Sequence, residues 1–325
     1  MMRNSSSVEE ELEHVLCNLC GGDDTKLLLT EQGSPIVECR RCSLVYVNPR
    51  LTMQSRDRYY RELQSVPIDE VSPLLPDPEF AHASAMAEYW GKIDRNTLKE
   101  YILAFQRGLL TQISAMVPPG RLLDVGCGWG YFLLMAKEEF GYEVHGVDPS
   151  KKLAEVCRDQ RGLENVVQGS IEEIEVQQGF FDVVTLMDVL EHLADPGCVL
   201  QKINTMLRPG GAVFIKVPNV AYLKIKARVF SSKFIMGRLN ALPDVEVMHP
   251  REHLYNFSPK TLRALLSKHG FEGMRFSYYG GGLTGSGQRD RMLGAYSALA
   301  RLTDVLSMGR AKIQPNMGVF ARKPS

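Results

Sequence analysis

Short apolar runs alternate with segments of helical spacing from residue 121 onward. The apolar runs predict five strands: Arg121–Val125, Glu143–Val147, Asn165–Gln168, Phe181–Met187 and Ala212–Val217. Between them, apolar residues three and four apart predict helices over Tyr131–Glu139, Lys151–Arg158 and Pro196–Met206. Strands that alternate with helices in this way predict a doubly wound α/β fold with a parallel sheet and right-handed crossovers.

Two regions flank this predicted core. Upstream, apolar residues at helical spacing between Leu98 and Ile113 predict a helix that covers the sheet, and the prolines of 65–79 predict a linker before it. Downstream, Met274–Tyr279 and Asn316–Arg322 predict two strands that pair antiparallel, with a helix between them.

Composition and charge exclude several classes of protein. The 325 residues are 44% hydrophobic and 23% charged, and 38 basic residues balance 38 acidic ones, which gives a net charge of zero. A balanced charge disfavours a protein whose whole surface binds nucleic acid. No apolar run reaches the roughly 18 residues of a membrane span, and the polar, acidic start of the chain does not resemble a secretory signal. We therefore expect a cytoplasmic protein, and its oligomeric state stays open.

Four of the seven cysteines form two Cys-x-x-Cys pairs near the N-terminus. Two residues between thiolates let one tight turn point both sulfurs at a single ion, so two pairs supply four tetrahedral ligands. Four cysteines close the coordination sphere, which favours a structural zinc over a catalytic one. Apolar runs on both sides of the turn at 32–35 predict a small zinc ribbon. The predicted ligands are Cys17, Cys20, Cys39 and Cys42.

A glycine-rich loop follows the first predicted strand of the sheet, at the place where open α/β sheets bind ligands. It contains Asp124, Gly126, Gly128 and Gly130 at intervals of two residues. This spacing differs from a dinucleotide fingerprint, and no Gly-Lys-Ser/Thr follows any glycine cluster, which excludes a P-loop. An acid before the first glycine repels a pyrophosphate but suits an ammonium group. Asp148 ends the second strand, where a carboxylate can bind both hydroxyls of a ribose.

These motifs resemble those of the class I S-adenosylmethionine (SAM)-dependent methyltransferases, closely over residues 120–220 and more loosely over 250–275. Asp124 and the three glycines resemble the cofactor loop of that family, and Asp148 resembles its ribose-binding acid. The resemblance implies a seven-stranded class I sheet and SAM as the cofactor.

Further residues are assigned by the same resemblance. Ser170 and Ile171 lie in a Gln-Gly-Ser-Ile-Glu segment that matches the one flanking the adenine, and Asp188 lies in the loop after the fourth strand. We assign all three to the cofactor site. The family often has an acid where Ser170 stands, so the adenine contact passes to Ile171 and to backbone groups.

The predicted ribbon and a later segment resemble a subset of small-molecule methyltransferases that includes sugar-nucleotide C-methyltransferases. These enzymes carry Glu-His-Leu-x-x-Phe-Ser, which matches the segment from Glu252 to Ser258. The same segment occurs in O-methyltransferases resembling the ubiquinone-pathway enzymes. Because a base works best with a pKa near the operating pH, we predict His253 as the general base and His192 as its alternative or partner. Glu252 is predicted to bias a histidine ring towards its charged form.

The predicted function is methyl transfer from SAM to a small-molecule acceptor, such as a nucleotide-linked sugar or another biosynthetic intermediate, at carbon or oxygen. The alternative is an RNA methyltransferase that grips RNA with its ribbon, which the zero net charge and the few aromatic residues there disfavour. The predicted organisation is a zinc ribbon over 1–50, a linker and helical segment over 51–119, and a methyltransferase domain over 120–325 with a variable segment at about 222–250.

Part of the variable segment is strongly basic. Residues 222–238 carry five basic and no acidic side chains among apolar ones. One hypothesis is contact with an anionic membrane or a lipid-linked acceptor. The other is a cap over the active site. Alternation with period two at the start of the segment predicts a strand there.

Overall fold

The computed structural model describes residues 10–64, 95–175, 177–231, 248–279, 303 and 312–325. The strands in these residues are β1 (Leu12–Glu13), β2 (Thr25–Glu31), β3 (Ser34–Cys39), β4 (Val45–Val47), β5 (Arg50–Leu51), β6 (Arg121–Val125), β7 (Glu143–Asp148), β8 (Val166–Gln168), β9 (Phe181–Met187), β10 (Leu207–Pro218), β11 (Tyr255–Asn256), β12 (Glu272–Tyr279) and β13 (Asn316–Arg322). The helices are α1 (Met53–Gln64), α2 (Arg95–Met116), α3 (Tyr131–Glu138), α4 (Lys151–Glu155), α5 (Pro196–Met206), α6 (Val220–Ser231) and α7 (Pro259–Lys268).

The central element is a seven-stranded sheet with the order β12-β13-β10-β9-β6-β7-β8. Strands β6 to β10 are parallel, whereas β13 pairs antiparallel with both β10 and β12. The prediction of a parallel doubly wound sheet that ends in an antiparallel pair is confirmed. Strong end signals explain why α5 has its predicted bounds: Asp195 accepts a hydrogen bond from the Cys198 N–H, and Pro196 occupies the first turn.

Hydrophobic cores lie on both faces of this sheet. Helices α2 and α3 cover one face, and the predicted apolar stripe of α2 is confirmed there by the buried Leu109 and Ile113. The other face packs against α5, α7 and the N-terminal ribbon, so Cys17 and Tyr46 share a core with the side chains of β9 and β10. The ribbon is thus packed on the sheet and is not tethered beside it.

The ribbon has its own four-stranded sheet, with the order β11-β4-β3-β2. Its hairpin turns at Gln32 and Gly33, which have φ values of 49° and 77° and so match a hairpin turn with two left-handed residues. The fourth strand comes from far along the chain, because Tyr255 of β11 pairs with Tyr46 of β4. One strand of the ribbon sheet therefore belongs to the segment predicted to carry the catalytic base.

The prediction of a strand at the start of 222–238 is wrong, because this stretch lies in helix α6. Val220 and Leu223 stand three residues apart on one helical face and pack against Ile36 and Val45 of the ribbon sheet. Lys224 also faces the ribbon, where its ammonium lies 2.6 Å from the Glu38 carboxylate. Tertiary packing on the ribbon decides the local structure.

Several sequence-based expectations lie outside the described residues. They are the linker at 65–79, the basic segment beyond residue 231, and the helix expected between β12 and β13. Among the helices that the structure describes, none is long and apolar enough to cross a membrane.

Candidate active site

The glycine loop between β6 and α3 provides a cradle with one open position. Gly126, Gly128 and Gly130 all have positive φ, with values of 70°, 52° and 73°. A Cβ at Gly126 would meet Val189 at 2.6 Å, and one at Gly130 would meet Cys157 at 2.7 Å, so these two glycines are required by packing. Among the residues that the structure describes, none lies within 4 Å of a Cβ at Gly128. Gly128 is therefore the glycine that leaves room for a ligand at the carboxyl end of β6.

Asp148 lies beside this open position. Its Oδ2 accepts a hydrogen bond of 2.8 Å from the Gly128 N–H, and its Oδ1 accepts one of 2.9 Å from the Ser150 N–H. These two bonds fix the plane of the carboxylate. The predicted ribose-binding acid is thus preorganised next to the open glycine.

Asp124 lies near the carboxyl end of β6, at the same edge of the sheet, and its carboxyl group is buried. Its Oδ1 accepts a hydrogen bond of 2.6 Å from the Thr185 hydroxyl of β9. Burial, reinforced by the charge of Asp148, raises the pKa of Asp124 to about 7, although the Thr185 bond opposes the shift. A cationic partner would stabilise the ionised form of such a buried carboxyl group. The ammonium ligand expected from the sequence is a partner of this kind.

The predicted adenine segment lies on the far side of Asp148. Strand β8 pairs with β7 so that Gln168 stands opposite Asp148, and the Gly169 N–H bonds to the Asp148 carbonyl at 2.9 Å. Ile171 is buried, whereas the Ser170 hydroxyl is hydrogen-bonded to the Glu172 carboxylate. The segment therefore adjoins Asp148 at the same edge of the sheet, and the roles of Ser170 and Ile171 stay predictions.

Asp188 follows β9 in a left-handed conformation, with a φ of 57°. Its carboxylate forms an ion pair with Lys216 of the neighbouring strand β10. The side chain of Asp188 is about half exposed, at 47%, so the pair stands at the open edge of the sheet. Its role as a cofactor contact stays a prediction.

The two predicted catalytic histidines come from distant segments and meet in space. The rings of His192 and His253 are 4.7 Å apart between centroids, and His249 stacks edge-on against His253 at 5.5 Å. His192 ends the 3-10 turn Leu190–His192 that follows β9, so the pair lies beyond the carboxyl ends of the central strands. The same tripeptide, Glu-His-Leu, occurs at 191–193 and 252–254.

A carboxyl group lies beside these two histidines. It belongs to Glu191, which sequence reasoning did not assign. Glu191 is 1% exposed, and neither of its carboxylate oxygens has a hydrogen-bond partner within the described part of the chain. One oxygen and one ring nitrogen each of His192 and His253 lie within 4.8 Å of one another. Burial and the charge of Asp188 raise the pKa of Glu191 well above its usual range. One carboxylate and two imidazoles can share a proton or hold a divalent cation.

The two histidines differ in their surroundings. Burial, the positive charge of Arg56 and the proximity of His249 lower the pKa of His192 to about 3, although a hydrogen bond to the backbone of Glu252 opposes the shift. His192 is consequently neutral at pH 7 and a weak proton acceptor.

Helix α1 holds both Glu-His-Leu segments. The Arg56 guanidinium donates to the His192 carbonyl at 2.7 Å, and the Tyr59 hydroxyl donates to the Glu252 carboxylate at 3.1 Å. Glu252 is buried and is directed to Tyr59 by this bond. The carboxylate that groups with the ring nitrogens is Glu191 rather than Glu252. The duplicated Glu-His-Leu tripeptide is the sequence signal by which Glu191 could have been found, and the sequence analysis did not use it.

The four predicted metal ligands converge at the base of the ribbon. Every sulfur of this cluster lies within 4.8 Å of the others, and the Cys17–Cys42 and Cys20–Cys39 sulfurs are 3.4 and 3.5 Å apart. Sulfurs bound to one Zn²⁺ at about 2.3 Å lie roughly 3.8 Å apart at tetrahedral angles. All four are free thiols. The donor set and its geometry fit a structural zinc site.

Comparison with known proteins now identifies the family. A family model for a methyltransferase domain matches residues 96–275, more than half of the chain, so the protein belongs to that family. A ubiquinone biosynthesis O-methyltransferase of Xanthomonas campestris pv. campestris is 32% identical over 160 residues, which are 47% of this chain and 65% of the relative. That of Bordetella avium is 31% identical over 178 residues, which are 52% of this chain and 70% of the relative.

The matches thus span 65% and 70% of the length of these relatives. Among solved structures, phosphoethanolamine N-methyltransferase 2 of Haemonchus contortus in complex with SAM has a TM-score of 0.49 and 20% identity, over 80% of this chain and 61% of that one.

Proposed function

We propose that this protein transfers the methyl group of SAM to a small-molecule acceptor. The observation that carries the proposal is the open glycine cradle: Gly128 alone of the three loop glycines faces space, and Asp148 is fixed beside it. Family membership agrees with this assignment.

The residues for the cofactor lie along one edge of the sheet. Asp148 would hold the ribose hydroxyls, Asp124 would face the ammonium group, and Ile171 would pack against the adenine. When bound, SAM supplies a methyl group on a positively charged sulfur, which leaves as a neutral thioether. The chain therefore needs to align the acceptor and remove its proton, and alignment alone can contribute several kcal/mol.

Glu191, His192 and His253, here called the histidine cluster, would act on the acceptor. His253 is the proposed general base, because the low pKa of His192 leaves that ring neutral and weakly basic. The buried carboxyl group of Glu191, which groups with the ring nitrogens of His192 and His253, would orient the His253 ring towards the acceptor. His192 would pack against the His253 ring and hold it in its orientation.

The acceptor is proposed to be a small molecule that carries a hydroxyl group or an acidic carbon, with a nucleotide-linked sugar as one example. The Xanthomonas and Bordetella relatives are ubiquinone biosynthesis O-methyltransferases, which supports a hydroxyl group as the acceptor. Screening candidate acceptors with radiolabelled SAM tests this class directly. Steeply salt-dependent binding of RNA would instead favour the RNA class.

Zinc is proposed as a second, structural component. Cys17, Cys20, Cys39 and Cys42 would hold it with no open position for a substrate. Its contribution would be the folding of the ribbon and, through the ribbon sheet, of the segment that contains β11.

Calorimetric titration with SAM tests the cofactor proposal through Gly128→Val. We expect this substitution to fill the cradle and abolish binding. Gly141→Val is the matched control, because Gly141 also has a positive φ, of 73°, and open space around its Cβ position, but lies before the amino end of β7. Both variants carry the same backbone strain. Equal SAM affinity in the two variants would refute the proposed cofactor site.

A further inference from the structure

The tip of the ribbon hairpin reaches the histidine cluster through Glu31. Glu31 is the last residue of β2, directly before the turn at Gln32 and Gly33. Its carboxylate accepts hydrogen bonds from two consecutive backbone N–H groups, from Met248 at 3.0 Å and from His249 at 2.9 Å. Charge-assisted bonds of this kind are about twice as strong as neutral ones.

The segment that Glu31 holds is conformationally demanding. Met248 is completely buried, so its N–H needs a protein partner, and His249 adopts a left-handed φ of 51°. A carboxylate that binds both N–H groups stabilises this geometry in the way that an anion stabilises a backbone nest.

From this fixed point a single turn leads to the proposed base. The His249 carbonyl accepts hydrogen bonds from the His253 N–H at 2.8 Å and the Glu252 N–H at 3.1 Å. The orientation of His249 therefore sets the position of the His253 backbone, and the His249 ring also packs against that of His253.

The ribbon holds the other end of the turn as well. The Val47 N–H of β4 donates to the Leu254 carbonyl at 3.0 Å, and β11 then pairs with β4. The turn that contains His253 is thus attached to the ribbon on both sides of this residue, through Glu31 on one side and through β4 on the other.

From these contacts we infer that Glu31 is a positioning residue for His253, and that the ribbon serves the acceptor site by holding the turn 248–254. The inference rests on the proposed function for the role of His253 in catalysis. The positioning itself is a structural property and is measurable without cofactor or acceptor.

The first test is NMR of the histidine rings with ¹⁵N-labelled imidazoles, in the full chain without ligand. We expect Glu31→Ala to shift the His253 resonances and to broaden them. Glu38→Gln is the matched control, because Glu38 is a ribbon carboxylate that binds Lys26 and Lys224 and not the turn. Unchanged His253 resonances in Glu31→Ala, or equal changes in Glu38→Gln, would overturn the inference whether or not the protein binds SAM.

The second test is a double-mutant cycle with an acceptor from the radiolabel screen. We expect Glu31→Ala to lower kcat about tenfold or more, to leave the Kd of SAM within about twofold, and to have no further effect in a His253→Ala background. Effects that simply multiply would show that Glu31 acts independently of His253 and would overturn the inference.

Zinc content and the thermal midpoint monitor folding in both tests. If Glu31→Ala does not fold, Glu31→Gln replaces it, since an amide oxygen can still accept one of the two N–H groups. We expect an intermediate kcat for Glu31→Gln, and a kcat equal to that of the wild type would contradict a role for the carboxylate.

Discussion

The two sides of the candidate site are built in different ways. On the cofactor side, the loop 124–130, the end of β7 and the segment 168–171 are close together in sequence and are held mainly by backbone hydrogen bonds. On the histidine side, Glu191 and His253 meet across the chain and depend on α1 and on the tip of the ribbon. A local motif defines the first side, whereas only the complete fold assembles the second.

Both sides contain a buried carboxyl group, and the two are stabilised unequally. Asp124 has the Thr185 hydroxyl as a hydrogen-bond donor, and its pKa rises to about 7. Among the described residues, neither oxygen of Glu191 has a hydrogen-bond partner, and burial together with the charge of Asp188 raises its pKa well above its usual range. An unpartnered buried carboxyl group costs about 1–3 kcal/mol or more, so the histidine side is the part of the site that retains the larger electrostatic strain.

Removal of a zinc ligand should unfold the histidine side of the site and leave the cofactor side folded. We expect Cys17→Ser to unfold the ribbon at a cost of several kcal/mol, because metal binding supplies the folding free energy of such small sites. Hydrogen exchange should then show lost amide protection at 248–257 and retained protection at 121–126. The exposed Cys198 supplies the control, Cys198→Ser. Simultaneous loss of protection in both segments would show one cooperative unit and contradict the comparison. Metal analysis of the wild type should give one zinc per chain.

Loss of the proposed base should affect only the histidine side. We expect His253→Ala to lower kcat by about 10²–10⁴-fold, the usual contribution of general base catalysis, while the Kd of SAM stays unchanged. His192→Ala should lower kcat less, because its ring is already a weak base. Steady-state kinetics and calorimetry measure the two quantities separately. If His192→Ala has the larger effect, the two roles are reversed, and if neither matters, catalysis rests on alignment.

Loss of the ribose-binding acid should affect only the cofactor side. We expect Asp148→Ala to weaken SAM binding by about 1.5–3 kcal/mol through lost charge-assisted hydrogen bonds. Asp182→Ala is a suitable control, because Asp182 binds the Arg121 N–H at the opposite, amino end of the strands. Calorimetry that finds equal affinity for these two variants would argue against the assigned edge.

The smallest predicted effect is a pH dependence of SAM affinity. Because the pKa of Asp124 is raised to about 7, most of its carboxyl groups are neutral at pH 5.5, and they ionise as the pH rises. An ammonium ligand favours the ionised form, so affinity should increase roughly twentyfold between pH 5.5 and 7.5 and then level off. In Asp124→Asn this dependence should disappear. A flat wild-type profile would mean that Asp124 does not face the ammonium group.

The cofactor side was predictable because its signals are local. Glycines at 126, 128 and 130, the acid at 148 and the end signals of α5 act within a few residues of one another, so one sequence is enough to identify them. The fold at this edge follows the same local signals, and β9 has the predicted bounds.

The histidine side was only partly predictable. Its two histidines were recognised from the segments that contain them, but Glu31 and Glu191 have roles that arise from contacts between segments distant in sequence. Helix α6 was misread for the same reason, since the ribbon sheet and not the local pattern determines its packing. The two-residue strand β11 is too short to produce a period of its own.

The pairing of β11 with β4 also dictates an order of events during protein synthesis. Tyr46 and Tyr255 are more than 200 positions apart, so at about 5–20 residues per second the ribosome needs roughly 10–40 s to make the partner of β4. Until then the β4 edge, with its apolar Val45 and Tyr46, is an open strand edge prone to pairing with other chains. A ribbon expressed alone would keep that edge permanently and should aggregate. The large sheet strands β6 to β10 are all synthesised before the ribbon sheet receives its last strand.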